Sequence, residues 1–450
     1  MDQSRRTFIE QAAGIPALAG LLGVGASAVA APAAETGPGE GAGDEGDWRR
    51  VAGEFLTAPN VAHMNTGTRG ASPRSVIEAQ FNAIRGYDSD YHSYATHTCN
   101  AEFRAGLRTK LAAFVGCKPN EVALTNNTTE GMAFGTLGLD LRPGDEIVHT
   151  NHDHPSGVQP INLCAARHGI TPVVVDLKGD EFHPPKSADA MVAAFEKAMT
   201  KRTRLISFCH INYTDGCVLP VREICGLARE RGILTLVDGA HPPGMMNLNI
   251  TELGCDMYAG AGHKWLLASM LTGFFHIRED VQERIWPLVY SGPVAGRNMY
   301  GNSVAGTASA EQAATAARFE MRGSMNFAAL ASLDAALDFH LGLTPVAIEA
   351  RDRFMAARVI EGLRAIDGVH VHVSSDPALS CGLVSFHIEG VEPKAVNQRL
   401  WERHRIYIRD VSHPEINWNV NRASLHVMVH GGHVDTLLGA VEEIAGEGRA

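Results

Sequence analysis

After residue 31 the chain has no apolar run long enough to cross a membrane, and it has no basic stripe, internal repeat or regular cysteine spacing. Each absence removes a class of protein. Eight cysteines scattered through 450 residues do not make a disulfide framework, and Cys209 and Cys217 read as core residues. The net charge of -11 is spread along the chain with no basic patch, which argues against nucleic acid as a partner. The glycine fingerprint of a dinucleotide-binding dehydrogenase is missing after the first strand, because Gly260-x-Gly262 comes late and lacks the third glycine. What is present is an ordinary globular composition, 45% hydrophobic and 20% charged, long enough for two or three domains.

The amino terminus stands apart. Ser4-Arg5-Arg6-Thr7-Phe8-Ile9 precedes an apolar stretch from Ala12 to Ala31, with small residues at Ala28, Ala30 and Ala34 where a peptidase can cut. A charged start, an apolar middle and a small-residue exit make residues 1–34 a secretory signal, and the paired arginines resemble the twin-arginine type. The alternative is a retained anchor, but a Gly- and Ala-rich stretch broken by Pro16 makes a poor spanning helix. The twin-arginine export machinery is therefore an expected partner, the periplasm or the exterior the expected location, and stable membrane insertion is not expected. Residues 35–47 are Gly-rich and acidic and read as a flexible linker, with the fold starting near Trp48.

From about residue 100 to 280 helix and strand patterns alternate. Ala101–Val115, Ile161–His168, Met191–Met199 and Val221–Arg231 read as helices. Glu121–Leu124, Glu146–Thr150, Thr171–Leu177, Arg204–Cys209, Ile233–Val237 and Thr272–Ile277 read as short apolar strands. Such strands between helices predict an α/β fold with a mainly parallel sheet covered on both faces. Ligands bind beyond the carboxyl ends of its strands. Past residue 325 come long helices at Phe327–His340 and Pro345–Ile366. Strands follow at Val369–Val373, Gly382–Ile388, Ile406–Arg409 and Ser424–Val429, with a helix at Lys394–His404 and another at the end. The expected organisation is an N-terminal segment, 48–85, joining a small domain; a large cofactor-binding domain, 86–330; and the small α+β domain, 331–450.

Five elements carry chemistry. Lys264, in Ala259-Gly260-Ala261-Gly262-His263-Lys264-Trp265, sits in small, flexible sequence between two strands. It has the room and the setting a Schiff-base lysine needs, although alone it would read as a surface lysine. Asp238 closes the strand Ile233–Val237, 26 residues earlier, where a carboxylate needs a cationic partner; a turn or cap is the alternative. Thr125-Asn126-Asn127-Thr128-Thr129-Glu130-Gly131 opens a helix after a strand, as a phosphate site or an ordinary N-cap. His152-Asp153-His154-Pro155 offers a ring to stack on a flat ligand. A His-x-His metal pair is the other reading, but no third and fourth ligands accompany it in the sequence, and no metal is expected. Asn212 follows the strand Arg204–Cys209 as a hydrogen-bond donor or a turn residue.

Taken jointly, the order of phosphate site, ring stacker, Asn, Asp and Lys resembles the class V branch of fold type I pyridoxal-phosphate enzymes, over roughly residues 55 to 445. The His263-Lys264-Trp265 triplet and the loop Asn65-Thr66-Gly67-Thr68-Arg69-Gly70 resemble its isopenicillin N epimerase-like subgroup. The resemblance implies pyridoxal 5'-phosphate held by Lys264, with Asp238 at the pyridinium and His154 stacked on the ring. It places Asn212 and His241 near the phenolic oxygen, and Thr128, Thr129 and His263 at the phosphate. Ser324, after Gly323, is implied to reach the phosphate of a partner subunit in a homodimer. Arg422 is implied to grip the substrate carboxylate, with Asn65, Thr66 and Gly67 forming the substrate loop.

Departures from the family pattern are Ala261, where Ser or Thr is common, and Met325-Asn326, where the subgroup has Arg-Asp. Cysteine desulfurases of the family need a cysteine on a C-terminal loop, and the stretch Asp410–Asn421 has none; Cys381 reads as structural. The implied activity acts on an amino acid or a derivative through a Schiff base with its amine and a carbanion at its α-carbon. Epimerisation or amino-group transfer comes first, and C–S or β-elimination second. An exported, catalytically silent binding protein is the reading from another class.

Overall fold

The computed structural model describes residues 44–179 and 182–449. The export signal expected at 1–34 lies outside them, as does most of the linker. The linker reading fails at its end: Glu45–Ala52 is a helix, capped by the Asp44 side chain, which accepts from the Gly46 N–H at 2.6 Å. Glu45 reaches Arg351 at 2.8 Å, so acidic residues that look like a solvated spacer dock onto the C-terminal half.

A short strand, β1 (Ala62–His63), precedes seven that form the central sheet. These are β2 (Val122–Thr125), β3 (Glu146–Thr150), β4 (Thr171–Val175), β5 (Thr203–Cys209), β6 (Leu234–Gly239), β7 (Met257–Ala261) and β8 (Gly273–Ile277). Five more follow: β9 (Val369–Val371), β10 (Leu383–Ile388), β11 (Ile406–Tyr407), β12 (Arg409–His413) and β13 (Trp418–Ser424). The central order is β2-β8-β7-β6-β5-β3-β4, with β8 antiparallel to both neighbours and the other six strands sharing one direction. This is the mainly parallel α/β architecture that the sequence predicts.

Local sequence explains the elements. Strands β3, β6 and β7 are buried along their whole length, as a sheet covered on both faces requires. The helix Ala101–Val115 starts where the Asn100 side chain accepts from the Phe103 N–H at 2.9 Å, and stops at Gly116, whose φ of 69° few other residues adopt. One face of the sheet packs under Leu107, Leu111, Phe195 and Phe208, the other under Met132, Phe134, Ile161 and Phe319.

A third core joins Trp48, Phe55 and Met64 to Val359, Phe386 and Leu437. There β10 lies between β13 and β9 in an antiparallel sheet, and β1 pairs in parallel with β11. Val76 and Leu330, Leu333 and Leu337 pack instead into the large core, so the helices Arg74–Ser89 and Phe327–Leu343 bridge the two halves.

Two sequence readings need correction. Ala259-Gly260-Ala261 belongs to buried β7 rather than to a flexible linker; its small residues fit beneath Phe274 and Phe275 of β8. The stretch 410–421 is a hairpin of β12 and β13, turned by Pro414 and by Asn417 at φ 53°, and the final strand ends at Ser424. Ser412, Glu415, Asn417 and Asn419 are exposed positions of the hairpin, while Val411, Trp418, Val420 and Asn421 are buried.

Candidate active site

The carboxyl ends of β2, β3, β5 and β6 and the turn after β7 open onto one cavity of ≈ 410 Å³, a size suited to a small ligand. Strands β12 and β13 and the loop at Gly67-Thr68 complete its wall. The cavity gathers Lys264, His241, His263, Thr128, Thr129, His154, Arg422 and Gly67 from positions up to 355 residues apart in sequence.

Lys264 sits at its base. Burial pushes the ammonium down to about 8; Asp238 opposes this and Arg422 adds to it. Asp238 ends β6 just behind the cavity wall, with Oδ1 accepting from the Ala240 N–H at 3.0 Å. Burial lifts its carboxyl to about 6, against the pull of Lys264. The pair thus leaves a buried carboxylate beside an amine that loses its proton with little cost near neutral pH.

His154 caps the helix Pro155–His168, its Nδ1 accepting from the Ser156 N–H at 3.1 Å, and its ring is exposed to the cavity. The preceding Asp153 fixes that turn: Oδ2 accepts from Thr150 N–H at 2.6 Å and Oδ1 from Cys209 N–H at 2.7 Å, tying β3 to β5. His241 is held by Trp265, whose indole Nε1 donates to His241 Nδ1 at 3.1 Å. Burial keeps His241 neutral, so its remaining proton lies on Nε2.

The helix Thr128–Leu137 points its N-terminus at the cavity. Its first N–H groups lack intrahelical partners, and the buried Thr128 hydroxyl has no hydrogen-bond partner. That end of the cavity suits an anion. Opposite, Arg422 donates to the Tyr213 carbonyl while its Nε is buried without a partner. A side chain at Gly67 would come within 2.9 Å of the Arg422 Nη2, so the glycine is required for the loop to close here. Gly70 donates to the His263 carbonyl at 3.0 Å, anchoring the same loop beside Lys264.

Besides Asp238, four expected residues lie off the cavity wall. Asn65 and Thr66 are buried beneath the loop; neither amide atom of Asn65 has a partner, and the Thr66 hydroxyl meets Met428 Sδ at 3.5 Å. Asn212 is buried in a tight turn closed by Gly216 N–H onto the Asn212 carbonyl, at 3.0 Å. Its side chain engages Cys209 Sγ and Asp215. Ser324 is exposed and outside the cavity.

Two cavity residues escaped the sequence reading. Tyr213 meets the His154 ring edge-on, with centroids 5.0 Å apart. Arg409 lies directly across from Arg422 in the β12–β13 ladder, and together with burial it lowers the Arg422 guanidinium to about 10. Arg409 ends the strand expected at Ile406–Arg409, and only the pairing of β12 with β13 sets it opposite Arg422.

Comparison with known proteins agrees with this arrangement. The family model for class V aminotransferases matches residues 65–437. Isopenicillin N epimerase of Streptomyces clavuligerus is 31% identical over 418 residues, which is 89% of this chain and 99% of the epimerase. A probable cysteine desulfurase of Methanothermobacter thermautotrophicus is 29% identical over 76% of this chain and 83% of its own length. The solved cystine C–S lyase C-DES, in complex with its product cysteine persulfide, superposes with a TM-score of 0.75 at 26% identity, covering 86% of this chain and 99% of the lyase. The chain belongs to the class V aminotransferase family.

The family's cofactor is pyridoxal phosphate, and the residues present fit it. The unpartnered Thr128 hydroxyl and the helix start suit its phosphate, Asp238 its ring nitrogen, His154 its face and Lys264 its aldehyde carbon.

Proposed function

We propose that the enzyme removes the α-proton of an amino acid or amino-acid-derived substrate and returns it, giving epimerisation or amino-group transfer. The observation that carries this reading is one cavity in which a buried lysine, its ammonium lowered to about 8, faces a buried arginine. Arg422 has Nε free for a carboxylate, and Arg409 adds a second positive charge that only an anion offsets. Lys264 in its neutral form takes the α-proton on its own side; amino-group transfer would pass that proton on to the cofactor, whereas epimerisation also needs a second group that delivers a proton to the opposite face of the α-carbon. Asp238 holds the proton of the ring nitrogen, and His241 presents its Nε2–H as a donor to the cavity. When bound, pyridoxal phosphate supplies a ring that draws off the electron pair left at the α-carbon.

A β-elimination or C–S lyase is the second reading, favoured by the likeness to the cystine C–S lyase. No cysteine lines the cavity, and Cys381 is buried with its thiol pushed up to about 12, so a thiol-dependent desulfurase is not supported.

The experiment is incubation with D- and L-amino acids in deuterated water. Deuterium at the α-carbon with loss of configuration marks an epimerase, a keto acid marks transfer, and release of a β-substituent marks a lyase. If no substrate exchanges its α-hydrogen, the proposal is wrong.

The homodimer and the export route belong to the same proposal. Trp286, Leu288, Val289, Val294, Met299 and Tyr300 are exposed on one stretch, and Ser291 N–H donates to the Met321 carbonyl at 2.6 Å, bringing that stretch beside Gly323-Ser324. This apolar surface suits a second copy that receives Ser324 at its own cavity. A native mass of one chain would dismiss it. The Arg5-Arg6 pair supports twin-arginine export. Lysine at both positions is expected to hold the protein in the cytoplasm, and periplasmic recovery of that variant would refute the route.

A further inference from the structure

We propose that His152 and His183 bind one divalent transition-metal ion of the zinc class, with the Leu177 carbonyl as a third donor and Asp215 bracing His183. The segments meet at the carboxyl ends of adjacent strands: His152 follows β3, Leu177 and His183 follow β4, and Asp215 follows β5. His152 Nε2 and His183 Nε2 lie 3.0 Å apart, and they lie 3.1 and 2.8 Å from the Leu177 carbonyl oxygen. Tetrahedral zinc, with bonds of about 2.0–2.1 Å, spaces its donors about 3.3 Å apart. The triangle is a few tenths of an ångström from one face of such a site.

Hydrogen bonding leaves one end of this cluster loose. His183 Nδ1 faces Asp215 Oδ2 at 3.7 Å, and both atoms are buried without a hydrogen-bond partner. A carboxylate only accepts, and a neutral imidazole has one N–H, so the His183 proton belongs on Nδ1. Its Nε2 then presents a lone pair. His152 Nδ1 is bonded to Thr214 Oγ1 at 2.6 Å. When that nitrogen donates, the His152 Nε2 is a lone pair as well, and three lone pairs converge on one point. A cation satisfies all three.

The outer contacts match the usual support of metal-bound histidines, whose second nitrogen donates to a carboxylate or hydroxyl. Two imidazoles and an oxygen favour zinc, nickel or copper over magnesium or calcium. A line of packed rings joins this cluster to the surface, with Trp418 closing its inner end. The exposed His370 stacks on His387, His387 Nδ1 meets His372 Nε2 at 2.7 Å, and Trp418 lies between His372 and His183, at 4.9 and 4.7 Å. The ion would tie the turn carrying His154 to the turn carrying Tyr213, which are two walls of the active-site cavity.

The test uses the full chain without a histidine tag, dialysed against metal-free buffer, loaded with zinc, passed over a desalting column and measured by elemental mass spectrometry. One ion per chain is expected in the wild type and none in His152→Ala or His183→Ala. Asp215→Asn should keep the ion with about 10–100-fold weaker affinity. His387→Ala, remote from the donors, should retain it fully, and circular dichroism checks that each variant is folded. Cobalt in place of zinc gives the wild type a visible spectrum that needs no variant to interpret. A wild type that retains no zinc and develops no cobalt spectrum overturns the proposal, leaving a hydrogen-bonded relay from Asp215 to Thr214. Undiminished zinc in both histidine variants overturns it equally.

Discussion

Lys264→Ala yields a folded protein that takes up pyridoxal phosphate reversibly and turns over about 10²–10⁴-fold more slowly from lost proton transfer alone. Loss of the covalent anchor adds to that deficit. Borohydride treatment followed by mass spectrometry should add the cofactor's mass to the wild type and nothing to the variant. The pH dependence of uptake has a defined sign. Only the neutral amine attacks the cofactor, and the Lys264 ammonium lies at about 8, so uptake by cofactor-free wild type should quicken as pH rises through that value. A variant retaining activity within tenfold of the wild type would remove Lys264 from the chemistry, and a flat pH profile would mean its amine is not the attacking group.

Asp238→Asn is expected to move two quantities in opposite directions. In the cofactor-free protein the Asp238 carboxylate holds the Lys264 ammonium up against burial. Without that charge, the ammonium falls further below 8, the neutral fraction at pH 7 rises, and cofactor capture becomes faster. In the loaded enzyme, the same substitution leaves a buried ring cation unpaired. Breaking a buried pair costs about 3–5 kcal/mol, or roughly 10²–10⁴-fold in kcat. Stopped-flow uptake and steady-state turnover on one preparation would show the split. Slowing of both by a similar factor would point to a damaged fold and against a charge role for Asp238.

Lys264, Asp238, Thr128 and His154 were legible in the sequence because each stands at the carboxyl end of a strand or the start of a helix, where local patterning fixes position. Arg409 was not, because its register opposite Arg422 exists only once β12 and β13 pair. The contacts of Asn212 were illegible for a related reason: the turn closed by Gly216 decides which way its amide points, and periodicity says nothing of that. The partnership of His152 with His183 and Asp215 joins three separate loops, so the sequence offered only a His-x-His pair with no further ligands. Strands β3 and β5 and the helix Ala101–Val115 fell within a residue of their expected limits, since each is bounded by its own cap or turn. Helices at Glu45–Ala52 and Arg74–Ser89 carry weaker local signals and owe their place to distant partners such as Arg351 and the helix Phe327–Leu343.

Pairing of Ala62 with Ile406 sets a schedule for the newborn chain. A ribosome adding about 5–20 residues per second needs roughly 17–70 s to make the 344 residues between them. Phe55 meets Phe339, with ring centroids 6.0 Å apart, before that interval ends, but Ala62 and His63 have no strand to pair with until Ile406 and Tyr407 are made. The first-made segment waits for the last-made one, and the C-terminal core forms only after synthesis is nearly done. Holding factors that recognise apolar segments have their longest opportunity here, and a chain ending before residue 406 leaves Ala62 and His63 without their strand partners.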